Sequence, residues 1–267
     1  MDDLGSLSIL VVDDNEFSRR VLVMTLGKIG IANVATVDGG VAALRHLAGN
    51  HVDAVISDLN MPGMDGAAFI QELAARRFDG GIVLVSGENV AGLDDAQTLA
   101  RSGGLDYLGA CEKPVRPETL EKILRGHPPA TAIEQVAPQE IGGNSPPVDL
   151  EGLAALIGGD NPVRINETLD LFIEAFPPLI SEIGDAIGAR NARAVHDAAH
   201  KAKGAANNAA AGQLAVMLGQ LQDDAIDENW RDFRSQLDRI ESEYARIDAF
   251  GGMRSEKRQS GQGEYDT

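Results

Sequence analysis

The sequence predicts an α/β domain, built on a doubly wound, five-stranded parallel sheet, followed by an all-α domain that forms an antiparallel helical bundle. Three observations predict this arrangement. Residues 7–125 alternate short β-branched apolar runs with helical patterns through five βα units. From residue 148 onward the apolar period is helical and no strand pattern is visible. The length of 267 residues suits two ordinary domains.

The first domain is predicted over residues 1–126. Its strands are expected at the short apolar runs "LSILVVD", "NVATV", "VDAVISD", "GIVLVS" and "YLGACE". The helices that follow them are expected at "FSRRVLVMTLGKIG", "GVAALRHLAG", "AAFIQELAARR", a weaker pattern at "LDDAQTLARSG", and "RPETLEKILRG". Short connections between such strands and helices favour a parallel sheet that is covered on both faces.

Residues 127–147, "HPPATAIEQVAPQEIGGNSPP", lack apolar periodicity and predict a linker. The second domain is predicted over residues 148–250. It has the lead-in "VDLEGLAALIGGD" and then five helical patterns, "NPVRINETLDLFIEAF", "PPLISEIGDAIGARN", "HDAAHKAKGAANNAAAG", "QLAVMLGQLQDDAI" and "NWRDFRSQLDRIESEYARIDAF". Prolines near the start of two of these patterns are typical of helix N-termini. The polar residues 251–267 predict a disordered tail.

Composition limits the partners that we expect. A formal charge of −18 opposes binding to nucleic acid and to anionic membranes. No apolar stretch approaches the roughly 20 residues that cross a bilayer, so we expect no membrane insertion. The single cysteine, Cys111, cannot form an internal disulfide. A single cysteine is typical of a reducing compartment, and the acidic N-terminus is unlike a signal peptide. Together these features predict a cytoplasmic protein.

Polar side chains end four of the predicted strands: Asp13 and Asp14 the first, Asp58 the third, Ser86 the fourth and, directly after the fifth, Lys113. The carboxyl ends of parallel strands share one edge of a sheet, so these groups should converge. Carboxylates suit Mg²⁺, and an ammonium group and a hydroxyl group can hold a phosphoryl group. The set therefore predicts formation of an aspartyl phosphate. A single aspartate at a strand end is often only a cap or a turn residue, so the prediction depends on the whole set.

The motifs "VVDDN", "DLNMPGMDG", "VSG" and "EKPV" resemble the receiver domain of two-component response regulators, which has a flavodoxin-like fold. The resemblance implies that Asp58 is the phosphoacceptor and that Ser86 and Lys113 hold the phosphoryl group. It further implies Mg²⁺ ligands at Asp14 and Asp58, at Asp13 partly through water, and at the backbone carbonyl of Asn60. The Lys113–Pro114 peptide bond would be cis.

One position departs from the receiver pattern. Receivers usually carry an aromatic residue three positions before the lysine, and its ring moves on activation, whereas this chain has Ala110. Tyr107 lies three residues further back and is expected to point elsewhere. The usual coupling between the serine and the aromatic ring is therefore not expected here.

The alanine-rich helix contains Gly204, although glycine inside a helix costs about 1 kcal/mol relative to alanine. His200, Lys203, Gly204 and Asn207 share one face at helical spacing. An exposed imidazole is a nucleophile near neutral pH, the lysine offers a charge to a phosphoryl group, and the glycine leaves room for another protein. The alternatives are a packed or solvated histidine, a glycine that allows close helix packing, and a zinc site at His196 and His200, which lacks a third ligand downstream.

The stretch "AHKAKGAANNAAAGQLAVMLGQLQ" resembles the histidine phosphotransfer (HPt) domain, over about residues 148–250. The resemblance implies that His200 is phosphorylated, with Lys203 and Gly204 in supporting roles. His196 would be a neighbour on the helix surface.

The two resemblances predict a phosphorelay protein whose partners are a sensor histidine kinase and other receiver or HPt proteins. No ATP-binding segment of a kinase is visible, so we expect no enzymatic activity beyond phosphoryl transfer. One alternative is a module whose phosphorylation controls protein docking. Another is a phosphatase of the haloacid dehalogenase type, which needs a second aspartate where this chain has Asn60.

Overall fold

The computed structural model describes residues 4–61, 63–87, 90–126, 146–226, 230 and 232–261. The chain divides into two compact units, one at each end of the sequence. Most of the predicted linker, residues 127–145, lies outside the described residues, and so do residues 262–267 of the predicted tail. In the described part of the chain, no helix is both long and apolar enough to cross a bilayer.

The first unit alternates strands and helices after a short 3₁₀ helix at Leu4–Ser6. In chain order they are β1 Ser8–Val12, α1 Glu16–Lys28, β2 Asn33–Val37, α2 Gly40–Leu47, β3 Ala54–Asp58, α3 Gly66–Ala75, β4 Gly81–Ser86, α4 Val90–Ser102, β5 Asp106–Glu112 and α5 Pro117–Leu124. The strands are all parallel and lie in the order β2-β1-β3-β4-β5. The predicted five-stranded, doubly wound fold is confirmed.

Two apolar cores hold helices to the faces of this sheet. On one face, residues of α1 and α5 pack on the sheet; on the other face, residues of α2, α3 and α4 do so. Every residue of β3 and β4 is buried, which is why these strands are continuous apolar runs with little alternation. The order of connections reverses between β1 and β3, and ligands of such sheets bind at the carboxyl ends of the strands beside that point.

The described residues after residue 146 form helices and no strand, as the sequence predicts. They are α6 Leu150–Ile157, α7 Pro162–Ala175, α8 Pro177–Gly188, α9 Ala192–Asn208, α10 Gly212–Ile226 and α11 Phe233–Gly261. Asparagine side chains cap α7 and α9: Asn161 accepts a hydrogen bond from the Val163 amide, and Asn191 accepts one from the Ala194 amide. The first of these helices, α6, lies within the predicted lead-in at residues 148–160.

The predicted tail is wrong over residues 251–261, because α11 continues without a break to Gly261. Gly251 is buried against Ile173 on α7, where an added Cβ would clash, so the helix still packs there. Arg254 Nε donates to Asn166 Oδ1 on α7 at 3.0 Å. These contacts extend the ordered helix past residue 250, which a polar composition alone does not predict.

Candidate functional site

Acidic side chains gather at the carboxyl ends of β1 and β3. Asp13 directly follows β1 and is fully buried, while Asp58 is the last residue of β3 and is 4% exposed. One carboxylate oxygen from each of Asp13, Asp14 and Asp58 lies within 4.8 Å of the others. The structure therefore brings together the three aspartates that the sequence predicts at this edge.

Lys113 completes the cluster from the end of β5. Its Nζ lies 2.7 Å from Asp13 Oδ2 and also donates a hydrogen bond to Asp58 Oδ2. The Lys113 amide donates to the Ser86 carbonyl at 2.7 Å, and the Lys113–Pro114 peptide bond is cis, as expected. A buried ammonium group thus bridges two buried carboxylates.

Burial and neighbouring charges both shift the pKa values of Asp13 and Lys113. Burial raises the pKa of Asp13 to about 6, Lys113 opposes the rise, and Asp58 adds to it. Burial alone would lower the pKa of Lys113, but the facing carboxylates outweigh it and raise that pKa. Lys113 therefore stays protonated, and Asp13 remains mostly ionised at neutral pH.

Backbone amides fix the orientation of the carboxylates, and one guanidinium group holds the backbone of Asp13. The Asn15 amide donates to Asp13 Oδ1 at 2.8 Å, and the Asn60 amide donates to Asp58 Oδ1 at 3.1 Å. Arg19 on α1 donates to the Asp13 carbonyl at 2.6 Å. Sequence reasoning missed Arg19; its place one turn into the helix that follows "VVDDN" was the available signal.

The acidic cluster fits a small divalent cation. Mg²⁺ binds oxygen at 2.0–2.1 Å in an octahedron, so opposite ligand oxygens are about 4.2 Å apart. The three aspartate oxygens lie within 4.8 Å of one another, so all three can face one small cation. Oxygens at neighbouring corners of the octahedron would have to approach one another to about 2.9 Å. Asn60 lies beside them in an exposed loop, where its carbonyl stays a predicted ligand.

Ser86 ends β4, next to β3, and is 2% exposed. Near the start of β4, between Ile82 and Val83, an irregularity in the pairing with β5 changes the expectation for Tyr107. Leu108 is skipped in the register between Tyr107 and Gly109. As a result, Tyr107 and Ala110 both pack into the core beneath α4, where a regular strand would place them on opposite faces. Arg101 of α4 lies over the Tyr107 ring at 5.2 Å.

The face predicted around His200 lies on α9. His200, Lys203, Gly204 and Asn207 are partly exposed, whereas the alanines between them are buried. A Cβ added at Gly204 would meet nothing within 4 Å, so close helix packing does not explain this glycine. The zinc alternative gains no support, because His196 and His200 belong to no group of three metal-ligating side chains among the described residues.

Side chains of α10, which sequence reasoning did not single out, contact this face. A Cβ added at Gly219 of α10 would lie 3.5 Å from Lys203 Nζ. The Lys203 side chain therefore passes over α10 at a residue that has no side chain of its own. Burial lowers the pKa of Lys203, and Asp223 opposes that shift. His196 Nε2 lies 3.3 Å from Gln222 Nε2. The 3.6-residue period of α10 was the available signal for Gly219, Gln222 and Asp223.

Comparison with known families identifies the class of each unit. Residues 9–125 match the family model of the response regulator receiver domain, and residues 167–250 match the Hpt domain. The chain therefore belongs to the two-component signalling proteins and joins a receiver domain to an Hpt domain.

Individual relatives share only part of this chain. It is 35% identical over 124 residues to the sensor histidine kinase RcsC of Escherichia coli strain K12, covering 46% of this chain and 12% of that protein. It is 38% identical over 122 residues to a protein-glutamate methylesterase/protein-glutamine glutaminase of Anaeromyxobacter dehalogenans, covering 44% and 34%. Among solved structures, chemotaxis protein CheY4 of Vibrio cholerae is 30% identical with a TM-score of 0.39, covering 45% of this chain and 96% of that one.

Proposed function

We propose that this chain is a phosphorelay intermediate that accepts a phosphoryl group on Asp58 and carries one on His200. In the first step, an oxygen of Asp58 attacks the phosphorus of a phosphohistidine on a donor protein. The new P–O bond forms as the P–N bond breaks, and the imidazole keeps the electron pair. In the second step, a ring nitrogen of His200 takes the group from an aspartyl phosphate, on Asp58 or on another receiver, and frees the carboxylate.

The observation that carries this proposal is the bridge that Lys113 makes between Asp13 and Asp58. A phosphoryl group on Asp58 would have the ammonium group within reach, and Ser86 ends the neighbouring strand. These groups would act on charge that develops during transfer, in a buried setting where electrostatic stabilisation is strong. Asp13, Asp14, Asp58 and the carbonyl of Asn60 would hold Mg²⁺, which when bound neutralises phosphoryl oxygens.

On the second unit, the partial exposure of His200 supports its role. Gly204 lies one turn further on the same face with open space around it, which leaves room for another protein surface. Lys203 supplies positive charge at the same level. The receiver and Hpt matches imply kinases and other receiver or HPt proteins as partners.

Labelling of the full chain tests both assignments. With Mg²⁺ and radiolabelled acetyl phosphate, we expect the H200Q variant to gain hydroxylamine-sensitive acyl phosphate and the D58N variant to gain none. Mixed with H200Q chain labelled on Asp58, or with another receiver labelled on its aspartate, D58N should gain acid-labile, alkali-stable phosphohistidine. The matched controls are D38N, at an exposed aspartate after β2, and H51Q, at an exposed histidine.

Equal labelling of wild type, D58N and H200Q would refute the proposed sites. Removal of Mg²⁺ by a chelator should abolish labelling of Asp58. Turnover of p-nitrophenyl phosphate that D58N abolishes would instead support a phosphatase.

A further inference from the structure

His196 lies one turn before His200 on α9, with its ring oriented like that of His200. The two ring centroids are 6.5 Å apart and the ring planes differ by 14°. The His196 side chain is 33% exposed, so about two thirds of it is covered by the protein. A phosphoryl group on His200 would therefore form beside this second imidazole.

Both ring nitrogens of His196 face polar partners. Nδ1 lies 3.0 Å from Asp197 Oδ1, and Nε2 lies 3.3 Å from the Nε2 of Gln222. The amide of Gln222 reaches His196 from α10, and Gln222 is 3% exposed. A ring engaged at both nitrogens is a poor nucleophile but a well-fixed neighbour.

The surface between α9 and α10 gives this contact its importance. The buried side of α9 is built largely from alanine, including Ala198, Ala199, Ala202 and Ala206. Small apolar side chains allow helices to approach closely, but they give little directional preference for rotation or sliding. The hydrogen bond between His196 and Gln222 is directional, and its partner is buried, so breaking it is costly.

We infer that His196 is a positioning residue: through Gln222 it fixes α9 against α10 and sets the direction in which the His200 ring leaves the surface. The inference rests on the proposed function, in which His200 receives the phosphoryl group. His196 itself forms no bond to phosphorus. The positioning depends on the hydrogen bonds of the His196 ring nitrogens more than on the bulk of the ring.

The test uses the full chain with D58N, so that His200 is the acceptor, and potassium phosphoramidate as the donor. The P–N bond of the donor breaks, a bond from phosphorus to a His200 ring nitrogen forms, and ammonia leaves with a proton. The H196F substitution keeps a flat ring and removes both nitrogens, and should lower the rate of His200 phosphorylation about three- to tenfold. The H196Q substitution places an amide near Nε2 and should keep the rate within about twofold.

The K201Q substitution is the matched control, because Lys201 pairs at 3.5 Å with Glu182 on α8, away from α10. It should leave the rate within about twofold. The ¹⁵N chemical shifts of the His200 ring should move in H196F and stay in H196Q, which a general loss of stability would not produce. Thermal unfolding by circular dichroism reports whether each variant is folded.

The outcomes separate the two proposals. If the D58N chain gains no more phosphohistidine than the same chain with H200Q, the proposed function fails. If D58N is labelled at His200 and H196F reacts as fast as H196Q, the positioning role of His196 fails and the proposed function stands. Equal loss of rate in H196F and H196Q would also overturn this role.

Discussion

The ammonium group of Lys113 lies 2.7 Å from a carboxylate oxygen of Asp13, although 100 positions separate the two residues in the chain. Both side chains are almost wholly buried, at 5% and 1% exposed. The contact joins the last strand of the sheet to the first central strand, β1. Its consequences for stability and for pH can be measured separately.

Replacement of Lys113 should destabilise the receiver domain. The K113M substitution keeps the length of the side chain but leaves Asp13 and Asp58 facing each other without the ammonium group. Breaking a buried pair in this way costs about 3 kcal/mol. Urea unfolding, measured with a chelator present, gives the change. The K122M substitution, at an exposed lysine of α5, should change the free energy of unfolding by less than about 0.5 kcal/mol.

The raised pKa of Asp13 predicts a specific pH dependence in metal-free protein. Its pKa in the folded state is about 6, above the ordinary aspartate value of 3.8 that holds in the unfolded chain. Between these values the folded state binds the proton more tightly, so the contribution of Asp13 to stability falls as pH rises through 4 to 6. At neutral pH it costs at most about 3 kcal/mol.

The D13N substitution should remove that dependence. The stability of D13N relative to wild type should be highest at pH 7 and should fall by up to about 3 kcal/mol towards pH 4. Chemical unfolding at pH 4, 5, 6 and 7 compares the two proteins, and only their difference matters, because other carboxylates titrate in both. A difference that grows as pH falls would contradict the prediction.

Gly66 should be needed for the loop that follows Asp58 and carries Asn60. An added Cβ would lie 2.7 Å from the Leu59 Cα, and the Gly66 amide donates to the Leu59 carbonyl at 2.8 Å. The G66A substitution must therefore shift the backbone beside Asp58. We expect a loss of about 1–3 kcal/mol in stability and slower labelling by acetyl phosphate.

Replacement of a loop glycine, Gly49, is the matched control for G66A. Gly49 follows α2, and a Cβ there would meet nothing within 4 Å. The G49A substitution should leave the labelling rate unchanged. If G66A labels as fast as G49A, the close approach at Leu59 does not matter for the site.

Replacement of Gly204 by alanine should raise the stability of the protein but slow phosphotransfer from a partner protein. Nothing within 4 Å opposes a Cβ there, and alanine is the better helix former, so G204A should raise the free energy of unfolding by about 1 kcal/mol. The same methyl group stands on the face that a partner must approach to reach His200. Phosphotransfer from a labelled receiver should therefore slow, while reaction with phosphoramidate should not. Unchanged transfer from the protein donor would contradict this reasoning.

Much of the fold could be predicted because its signals are local. The apolar runs of β3 and β4 are buried on both faces, and the helical period after residue 148 has no competing strand pattern. The end of α11 could not be predicted, because a polar segment stays helical there only by packing Gly251 and Arg254 onto α7. Tyr107 was also misjudged, since the irregularity between β4 and β5 has no clear signature in sequence.

The sequence by itself determined which chemical groups are present and in what order: aspartates, a serine and a lysine at strand ends, and a histidine, a lysine and a glycine at helical spacing. It also determined the resemblance to the two families, because each of their motifs is a continuous run of residues. Only the tertiary structure decided that Lys113 bridges Asp13 and Asp58, and that Gln222 holds His196 beside His200. The physical reason is that hydrogen bonds and charge pairs act over a few ångströms, so partners distant in sequence become neighbours only once the sheet and the helices pack.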